Sequence, residues 1–390
     1  MLKSKHFAVA MRLNVLGALI AMAWIAPRAA FAQSAVSLYG IIEEGVDYVN
    51  NSGGHSLVQL RDGTYAGTYG SRWGLKGTED LGGGMSVIFR LENGFSLENG
   101  QLRQGGLEFG RQAYVGLSDQ RFGTVTFGRQ YDSVVDYLQE VIFPWGGLFV
   151  HGGDIDNTAN SFRVNNAIKY ASPTIGGLRF GAMYAFSNVN GPGTSTTGMY
   201  SAGADYTIGG LTLGAAYFYA KKPGTLFADG DFGPNTQGNA IGNTGPFSYV
   251  GQPDNERIMG VAANYVLGKT TVGLDYTNTR FADANGTTHA VTFQNFDAWM
   301  NYAITADLIL GADYTFTLGN INYNGQQPKY HQAGFIANYS LSKRTSFYLS
   351  TVYQRAAGSA PVAVVFNGAV GDPSTTRSQL AARLAMVHKF

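Results

Sequence analysis

The stretch LILGADYTFTL (308–318) alternates strictly between two kinds of side chain. The even-numbered positions are apolar or aromatic: Leu308, Leu310, Ala312, Tyr314, Phe316 and Leu318. The odd-numbered positions after Ile309 are small or polar: Gly311, Asp313, Thr315 and Thr317. Because successive side chains of a β-strand point to opposite faces, this pattern predicts a strand with one apolar face and one polar face.

The same alternation recurs along the chain, in LRFGAMYAF (178–186), LTLGAAYFYA (211–220), TVGLDYTN (271–278), TSFYLSTVY (345–353) and RLAMVHKF (383–390). The polar face of a soluble β-sandwich carries many Lys and Glu residues. Here it carries Gly, Ser, Thr and Asn with isolated charges, and only 14% of the chain is charged. Strands of about ten residues with aromatic residues near their ends are typical of transmembrane β-barrels. The polar face is therefore predicted to line confined water.

The connections between the strands form a second pattern, in which short and long segments alternate. The short ones are EDLGGG (79–84), SDQRFG (118–123), PTIGG (173–177), TIGG (207–210), VLGK (266–269), ITAD (304–307) and SLSKR (340–344). The longer, polar ones lie near 50–68, 97–106, 132–161, 187–198, 221–256, 281–290, 319–328 and 356–376. Seven turns and eight loops predict sixteen antiparallel strands, with seven short periplasmic turns and eight longer extracellular loops.

A sheet left open in lipid would leave backbone groups unpaired, so the predicted sheet must close into a barrel. A barrel of about sixteen strands leaves an aqueous channel. Closure requires the last strand, RLAMVHKF, to pair with the first, SAVSLYGIIEEGVDYV (34–49), which puts Phe390 at the membrane–water interface. We predict one all-β, membrane-spanning domain, residues 33–390.

Residues 1–32 read as a cleaved signal peptide. Lys3, Lys5 and Arg12 precede and flank a short apolar core, and Ala30–Ala32 has the small-x-small pattern of a cleavage site. This segment holds four basic and no acidic residues, so its removal changes the formal charge from +1 to −3. The mature chain lacks the dense basic face that nucleic-acid binding requires. It also contains no Cys, which excludes disulfides and thiolate metal sites.

Four segments together resemble the trimeric general diffusion porins of Gram-negative outer membranes, in particular those of β-proteobacteria. They are LYG (38–40), SRWGLKGTEDLGGG (71–84), GRQAYVGLSDQRFGTVTFGRQYD (110–132) and HKF (388–390). The resemblance implies a sixteen-stranded barrel in outer-membrane lipid, assembly as a homotrimer, and a third loop folded into the lumen. It also implies that the strand ending at Phe390 is the signal read by the outer-membrane assembly machinery.

The third long connection, near 132–161, is long enough to fold inwards. Its PWGG (144–147) stands where enterobacterial porins carry a Pro-Glu-Phe-Gly-Gly stretch. Trp145 therefore replaces an acid, which weighs against the weak cation preference of those relatives. The lumen-facing Arg and Lys residues favour anions weakly.

Selective diffusion requires a narrow waist with charged groups on opposing sides. The alternation of side chains along each strand places four basic residues on the lumen face, opposite apolar neighbours: Arg72, Lys76, Arg111 and Arg163. The resemblance implies that Arg72, Arg111 and Arg163 form the basic ladder of the pore wall, because they match the family's ladder positions. Two weaker candidates are Arg129 and Arg90. Arginine suits this role because it stays charged beside like neighbours.

The acidic side of the waist is expected on the inward loop, where five carboxylates are available: Asp132, Asp136, Glu140, Asp154 and Asp156. Glu140 is the preferred candidate among them. Glu43 is a further lumen candidate on the first strand. Parity directs Glu44 to the outer face, where a charge is costly at the bilayer midplane.

No motif for catalysis is complete. LGKT (267–270) lacks the first glycine of a phosphate-binding loop, because position 263 is alanine. DIDN (154–157) lacks the glycine and the distal glutamate of a calcium loop. We predict no enzyme activity, cofactor or metal, and a water-filled channel for ions and small hydrophilic solutes. The alternative is a channel specific for sugars, phosphate or organic acids; an enzyme or adhesin barrel lacks a supporting motif.

Overall fold

The computed structural model describes residues 35–187, 197–226, 245–368 and 370–390. The predicted signal peptide (1–32) lies outside these residues. Within the described ranges, no helix combines the length and the apolar composition needed to cross a bilayer.

The described chain contains seventeen β-strand segments in one sheet. They are β1 (Ala35–Ser52), β2 (His55–Asp62), β3 (Arg72–Gly82), β4 (Met85–Gly94), β5 (Gln112–Asp119), β6 (Gly123–Gln130), β7 (Val164–Ala171), β8 (Leu178–Phe186), β9 (Thr197–Ile208), β10 (Leu211–Lys221), β11 (Asn255–Leu267), β12 (Thr270–Ala282), β13 (Val291–Ala303), β14 (Leu308–Ile321), β15 (Pro328–Ser340), β16 (Thr345–Gly358) and β17 (Ser378–Lys389). Short helical turns lie in the connections, at Gly63–Ala66, Gln104–Gly106, Ser133–Tyr137, Gly147–Phe149, Pro223–Leu226, Pro246–Tyr249, Ala284–Gly286 and Val365–Gly368.

The sheet closes on itself, and all its pairings are antiparallel. β1 pairs with β17 in a register that sets Asp47 opposite Arg383. Phe390 continues this pairing, since its backbone exchanges hydrogen bonds of 3.0 and 3.1 Å with Gly40. β2 and β3 both pair with β1, one along each half of it, so they form a single interrupted barrel strand. The predicted sixteen-stranded barrel is confirmed.

The long loop predicted near 50–68 is wrong in part, because β2 occupies much of this range. Ser52 and His55 instead close a tight hairpin between β1 and β2, with Gly53 and Gly54 at positive φ in the turn. The chain leaves the barrel wall later, at residues 63–71, which we call the inner insert. Its Tyr69 N–H donates to Glu43 on the lumen face of β1 at 2.6 Å, so the inner insert lies inside the barrel.

The two faces of each strand separate as alternation predicts. Along β14, Gly311, Asp313 and Thr315 are buried on the inner face, whereas Tyr314 is 46% exposed on the outer face. The outer face also exposes Leu38, Val58 and Leu274 among many apolar side chains. An apolar outer belt of this kind is what lipid contact requires.

Residues 131–163, which we call the inward loop, pack against the inner wall. A core of buried apolar side chains joins the two: Val134, Leu138, Val141, Ile142, Ile155 and Phe162 of the loop meet Met183, Met199, Phe218 and Ile258 of the wall. Glycines on the wall allow this close approach, because a Cβ at Gly203 would collide with the ring of Tyr137. Burial of apolar surface therefore holds the loop inside the barrel.

Candidate pore constriction

The lumen contains a cavity of about 740 Å³ where the inward loop and the inner insert approach the wall. Its charged lining residues are Arg72, Arg103, Arg111, Arg163, Glu140 and Asp297, with His151 beside them. Three of these arginines are the predicted wall ladder, so the structure brings that group together at one place. Their role in selectivity stays a prediction.

Arg111 is held rigidly at the centre of this basic wall. Its Nε donates to Glu92 Oε1 at 2.8 Å, and its Nη2 donates to the hydroxyl of Tyr131 at 3.0 Å. Glu92 also accepts a 3.1 Å hydrogen bond from Tyr131. Because both partners are themselves bonded, the guanidinium of Arg111 keeps one orientation. The sequence analysis missed Glu92, although this residue lies two positions after Arg90 on β4 and therefore on the same lumen face.

Arg163 lies on the other side of Tyr131, with its guanidinium carbon 5.8 Å from the ring centroid. Burial and the neighbouring Arg111 lower the pKa of Arg163 to about 10. The side chain therefore remains cationic at neutral pH. Stacking of a guanidinium on an aromatic face keeps the charge in place without a carboxylate partner.

The other three basic candidates lie away from the cavity lining. Arg129 donates to the carbonyl of Gly110 at 2.7 Å and to Asn165 Oδ1 at 2.6 Å, so it braces the wall behind the ladder. Lys76 and Arg90 lie over the ring of Tyr39, at 5.4 and 5.6 Å from its centroid.

Glu140 is the one member of the five predicted loop acids that lines the cavity. Its side chain is exposed, and Oε2 lies 3.3 Å from Arg179 Nη2. Arg179 also bonds Asp205 on the neighbouring strand at 2.8 Å. The negative charge of Glu140 is therefore shared with a cation on the wall.

Asp132 and Asp154 bond within the loop rather than facing the cavity. Asp132 caps the helical turn Ser133–Tyr137 by accepting from Val134 N–H at 2.7 Å, and its other oxygen accepts from Asn157 at 2.7 Å. Asp154 accepts from Ala159 N–H at 2.7 Å and from Ser161 N–H at 3.0 Å. Burial raises the pKa of Asp132 to about 6 and that of Asp154 to about 7. Side chains in a loop do not alternate between two faces, so no sequence pattern indicated how Asp132 and Asp154 are oriented.

Asp136 and Asp156 tie the loop to the barrel. Asp136 pairs with Lys169 of β7 at 2.7 Å. Asp156 accepts from Thr277 of β12 and, at 3.1 Å, from Asn295 of β13. Its other partners are Thr158, whose hydroxyl donates to it at 3.0 Å, and His151 Nδ1, at 2.6 Å.

A second group of acids, unforeseen as a site, surrounds His151 on the opposite wall. His151 Nε2 lies 3.4 Å from Asp275 Oδ1 and 3.9 Å from Asp297 Oδ2. Asp313 of β14 is buried close by, and in the described structure neither of its carboxylate oxygens has a hydrogen-bond partner. Alternation in 271–278 and 308–318 had placed Asp275 and Asp313 on the lumen face, but their convergence on a loop histidine depends on tertiary structure.

Glu43 belongs to a buried network at the β1–β17 seam rather than to the cavity. Arg383, which is fully buried, donates to Asp47 Oδ1 at 2.7 Å, to Tyr348 Oη at 2.8 Å and to Glu43 Oε1 at 3.5 Å. Tyr348 in turn donates to Glu43. Glu44, on the opposite face, finds no hydrogen-bond partner for either carboxylate oxygen among the residues that the structure describes. The structure offers no account of its role.

Comparison with known proteins agrees with this architecture. An outer membrane porin protein of Bordetella pertussis is 38% identical over 172 residues, which cover 41% of this chain and 44% of that protein. Outer membrane porin protein 32 of Delftia acidovorans is 38% identical over 197 residues, covering 47% of this chain and 54% of that protein. The chain thus matches about half the length of these curated relatives.

Two solved structures share the fold over nearly the whole chain. An anion-selective porin from Comamonas acidovorans has a TM-score of 0.72 at 23% identity and covers 92% of this chain and 100% of its own. A trimer form of OmpT from Vibrio cholerae has a TM-score of 0.65 at 15% identity, covering 92% and 99%. The Gram-negative porin family model matches residues 18–359. The chain therefore belongs to the Gram-negative porin family of outer-membrane β-barrel proteins, which are channels and not enzymes.

Proposed function

We propose that this chain forms a water-filled channel through which ions and small hydrophilic solutes diffuse passively, and that its constriction favours anions. The observation that carries this proposal is the charge lining the cavity. Four arginines face it, against two carboxylates, Glu140 and Asp297. A ring of fixed positive charge in a narrow pore lowers the energy of an anion and raises that of a cation.

The bonding of the inward-loop acids supports the same sign. Asp132 and Asp154 accept hydrogen bonds from within the loop, and Asp136 is paired with Lys169. Glu140, which remains at the cavity, is compensated by Arg179. Arg163 stacks on the ring of Tyr131, and its described contacts include no ion pair with a carboxylate. Among the described groups that line the cavity, positive charge therefore exceeds negative charge.

The test is a reversal potential measured in a planar bilayer with a KCl gradient. We expect the sign of anion selectivity for the wild type, and a marked loss of selectivity for Arg163→Gln. The matched control is Lys343→Gln, which removes an exposed charge from a short turn and should leave the potential unchanged. A cation-selective wild type, or an equal effect of both substitutions, would contradict the proposal.

Assembly and solute range belong to the same proposal. We propose a homotrimer, supported by the family resemblance and by the related OmpT structure whose title describes a trimer. Chemical cross-linking in detergent should yield a species of three chains, and channel closures should occur in groups of three. A small conductance that one solute class blocks at saturating concentration would instead indicate a substrate-specific channel.

A further inference from the structure

We propose that His151, Asp275 and Asp297 form a binding site for a divalent transition-metal ion of the Zn²⁺ class, at the contact between the inward loop and the barrel wall. The site itself is independent of the transport proposal. Its effect on ion selectivity, described below, rests on that proposal.

The three residues converge from different parts of the chain. His151 belongs to the inward loop, while Asp275 and Asp297 face each other across the β12–β13 pairing. One imidazole nitrogen and two carboxylate oxygens lie within 4.8 Å of one another, and all three side chains are buried. One nitrogen and several oxygens form a ligand set that Zn²⁺ accepts readily, whereas Ca²⁺ and Mg²⁺ prefer oxygen alone.

The distance between His151 and Asp275 fits a shared ion better than a direct hydrogen bond. Two ligands that are each about 2.1 Å from a tetrahedral Zn²⁺ lie about 3.4 Å apart. His151 Nε2 and Asp275 Oδ1 are separated by 3.4 Å. A direct charge-assisted hydrogen bond would be about 2.7–2.9 Å long. The gap between these two atoms therefore has the width of a shared cation.

Asp275 supplies an independent reason to expect a ligand. Its side chain is fully buried, and neither carboxylate oxygen has a hydrogen-bond partner among the described residues. Within the described part of the chain, Asp297 Oδ1 also lacks a hydrogen-bond partner, as do both oxygens of the adjacent Asp313. Burial of unpartnered carboxylates is costly unless they are paired or coordinate a metal. A single imidazole ring cannot supply partners to all of these oxygens.

Asp156 prepares His151 to act as a ligand. It lies 2.6 Å from Nδ1 and is itself fixed by bonds to Thr158, Thr277 and Asn295. A histidine whose Nδ1–H donates to a carboxylate presents the lone pair of Nε2 on the other side of the ring. That side faces Asp275 and Asp297. His151 and Asp297 also line the main cavity, which gives an ion a path from the lumen.

Binding would have two consequences at the constriction. The ion would link the inward loop to β12 and β13 through coordinate bonds, in addition to the apolar contacts described above. It would also neutralise Asp297, one of the two carboxylates that line the cavity. Zn²⁺ is therefore expected to strengthen anion selectivity.

The first test is isothermal titration of the folded protein in detergent with Zn²⁺, after EDTA has been used and removed. We expect one Zn²⁺ per chain, with binding weakened by about tenfold or more in His151→Gln and in the isosteric Asp275→Asn. His388→Gln is the matched control, because it removes an exposed histidine of β17 and should bind as the wild type does. Far-UV circular dichroism confirms that each variant retains the barrel.

Two results would overturn the site. One is the absence of stoichiometric binding in the folded wild type. The other is unchanged affinity in both His151→Gln and Asp275→Asn. A Ca²⁺ titration tighter than the Zn²⁺ titration would reject the assigned class of metal.

Reversal potentials with and without Zn²⁺ test the effect on transport separately. We expect Zn²⁺ to shift the potential towards anion selectivity in the wild type and not in Asp275→Asn. Binding without a shift would retain the site and reject its role in selectivity. Binding to a protein that conducts no ions would retain the site and reject the proposed channel.

Discussion

Arg383 provides the sharpest test of how this barrel is held closed. Its guanidinium is completely buried where β17 meets β1, and it makes ion pairs with Asp47 and Glu43 as well as hydrogen bonds to Tyr348 and the carbonyl of Arg61. Arg383→Met keeps the length of the side chain and removes the charge. Loss of one member of a buried ion pair costs about 3–5 kcal/mol, because the partner is left desolvated and uncompensated.

We therefore expect the free energy of unfolding to fall by about 3–5 kcal/mol, measured by urea titration of the barrel in lipid vesicles. Arg377→Met is the control, since Arg377 is exposed in the connection that precedes β17. The combined variant Arg383→Met, Glu43→Gln and Asp47→Asn should recover most of the loss, because no buried charge is left unpaired. If Arg383→Met alone unfolds within about 1 kcal/mol of the wild type, the network does not stabilise the seam in this way.

Three further substitutions test the constriction. Glu140→Gln removes a carboxylate from the cavity and leaves Arg179 without this partner, so it should increase anion selectivity, as read from the reversal potential. An unchanged potential would show that Glu140 does not contribute to the field at the constriction. Gly147→Ala should change single-channel conductance, because φ is +64° at this position and a Cβ would strike the carbonyl of Gly67. Gly325→Ala is the control and should leave the conductance unchanged, because its φ is also positive, at +72°, but a Cβ there would meet open space. Asp132→Ala removes the N-cap of the helical turn Ser133–Tyr137, which should destabilise this turn by about 0.5–2 kcal/mol and speed its amide hydrogen exchange. An unaltered exchange rate at Val134 would contradict this prediction.

The strands could be predicted because their signal is local. In 308–318, alternation alone assigns Asp313 and Thr315 to the inside and Tyr314 to the outside, as the structure confirms. A membrane barrel strengthens this signal, since one face contacts lipid and the other does not. The number and order of strands followed from the regular spacing of the connections.

The constriction was less predictable, because its geometry is set by long-range contacts. Asp132 and Glu140 lie eight positions apart in a loop without parity, yet the first is buried as a cap and the second faces the cavity. The inner insert was read as part of an outer loop, since its glycines and threonines match both environments. Its long-range contacts, such as the bond from Tyr69 N–H to Glu43, show that it lies inside.

The inner insert and the inward loop touch where Gly147 lies against the backbone of Ala66 and Gly67. A loop attached only at its two ends can swing as a single flap, and the opening beside it then fluctuates in width. Here the middle of the inward loop rests on a second segment, which is itself bonded to Glu43 and Tyr348 on the wall. Any widening must displace both segments at once. The open channel should therefore carry a current with little noise on the recording timescale, and closure by movement of the loop alone is disfavoured.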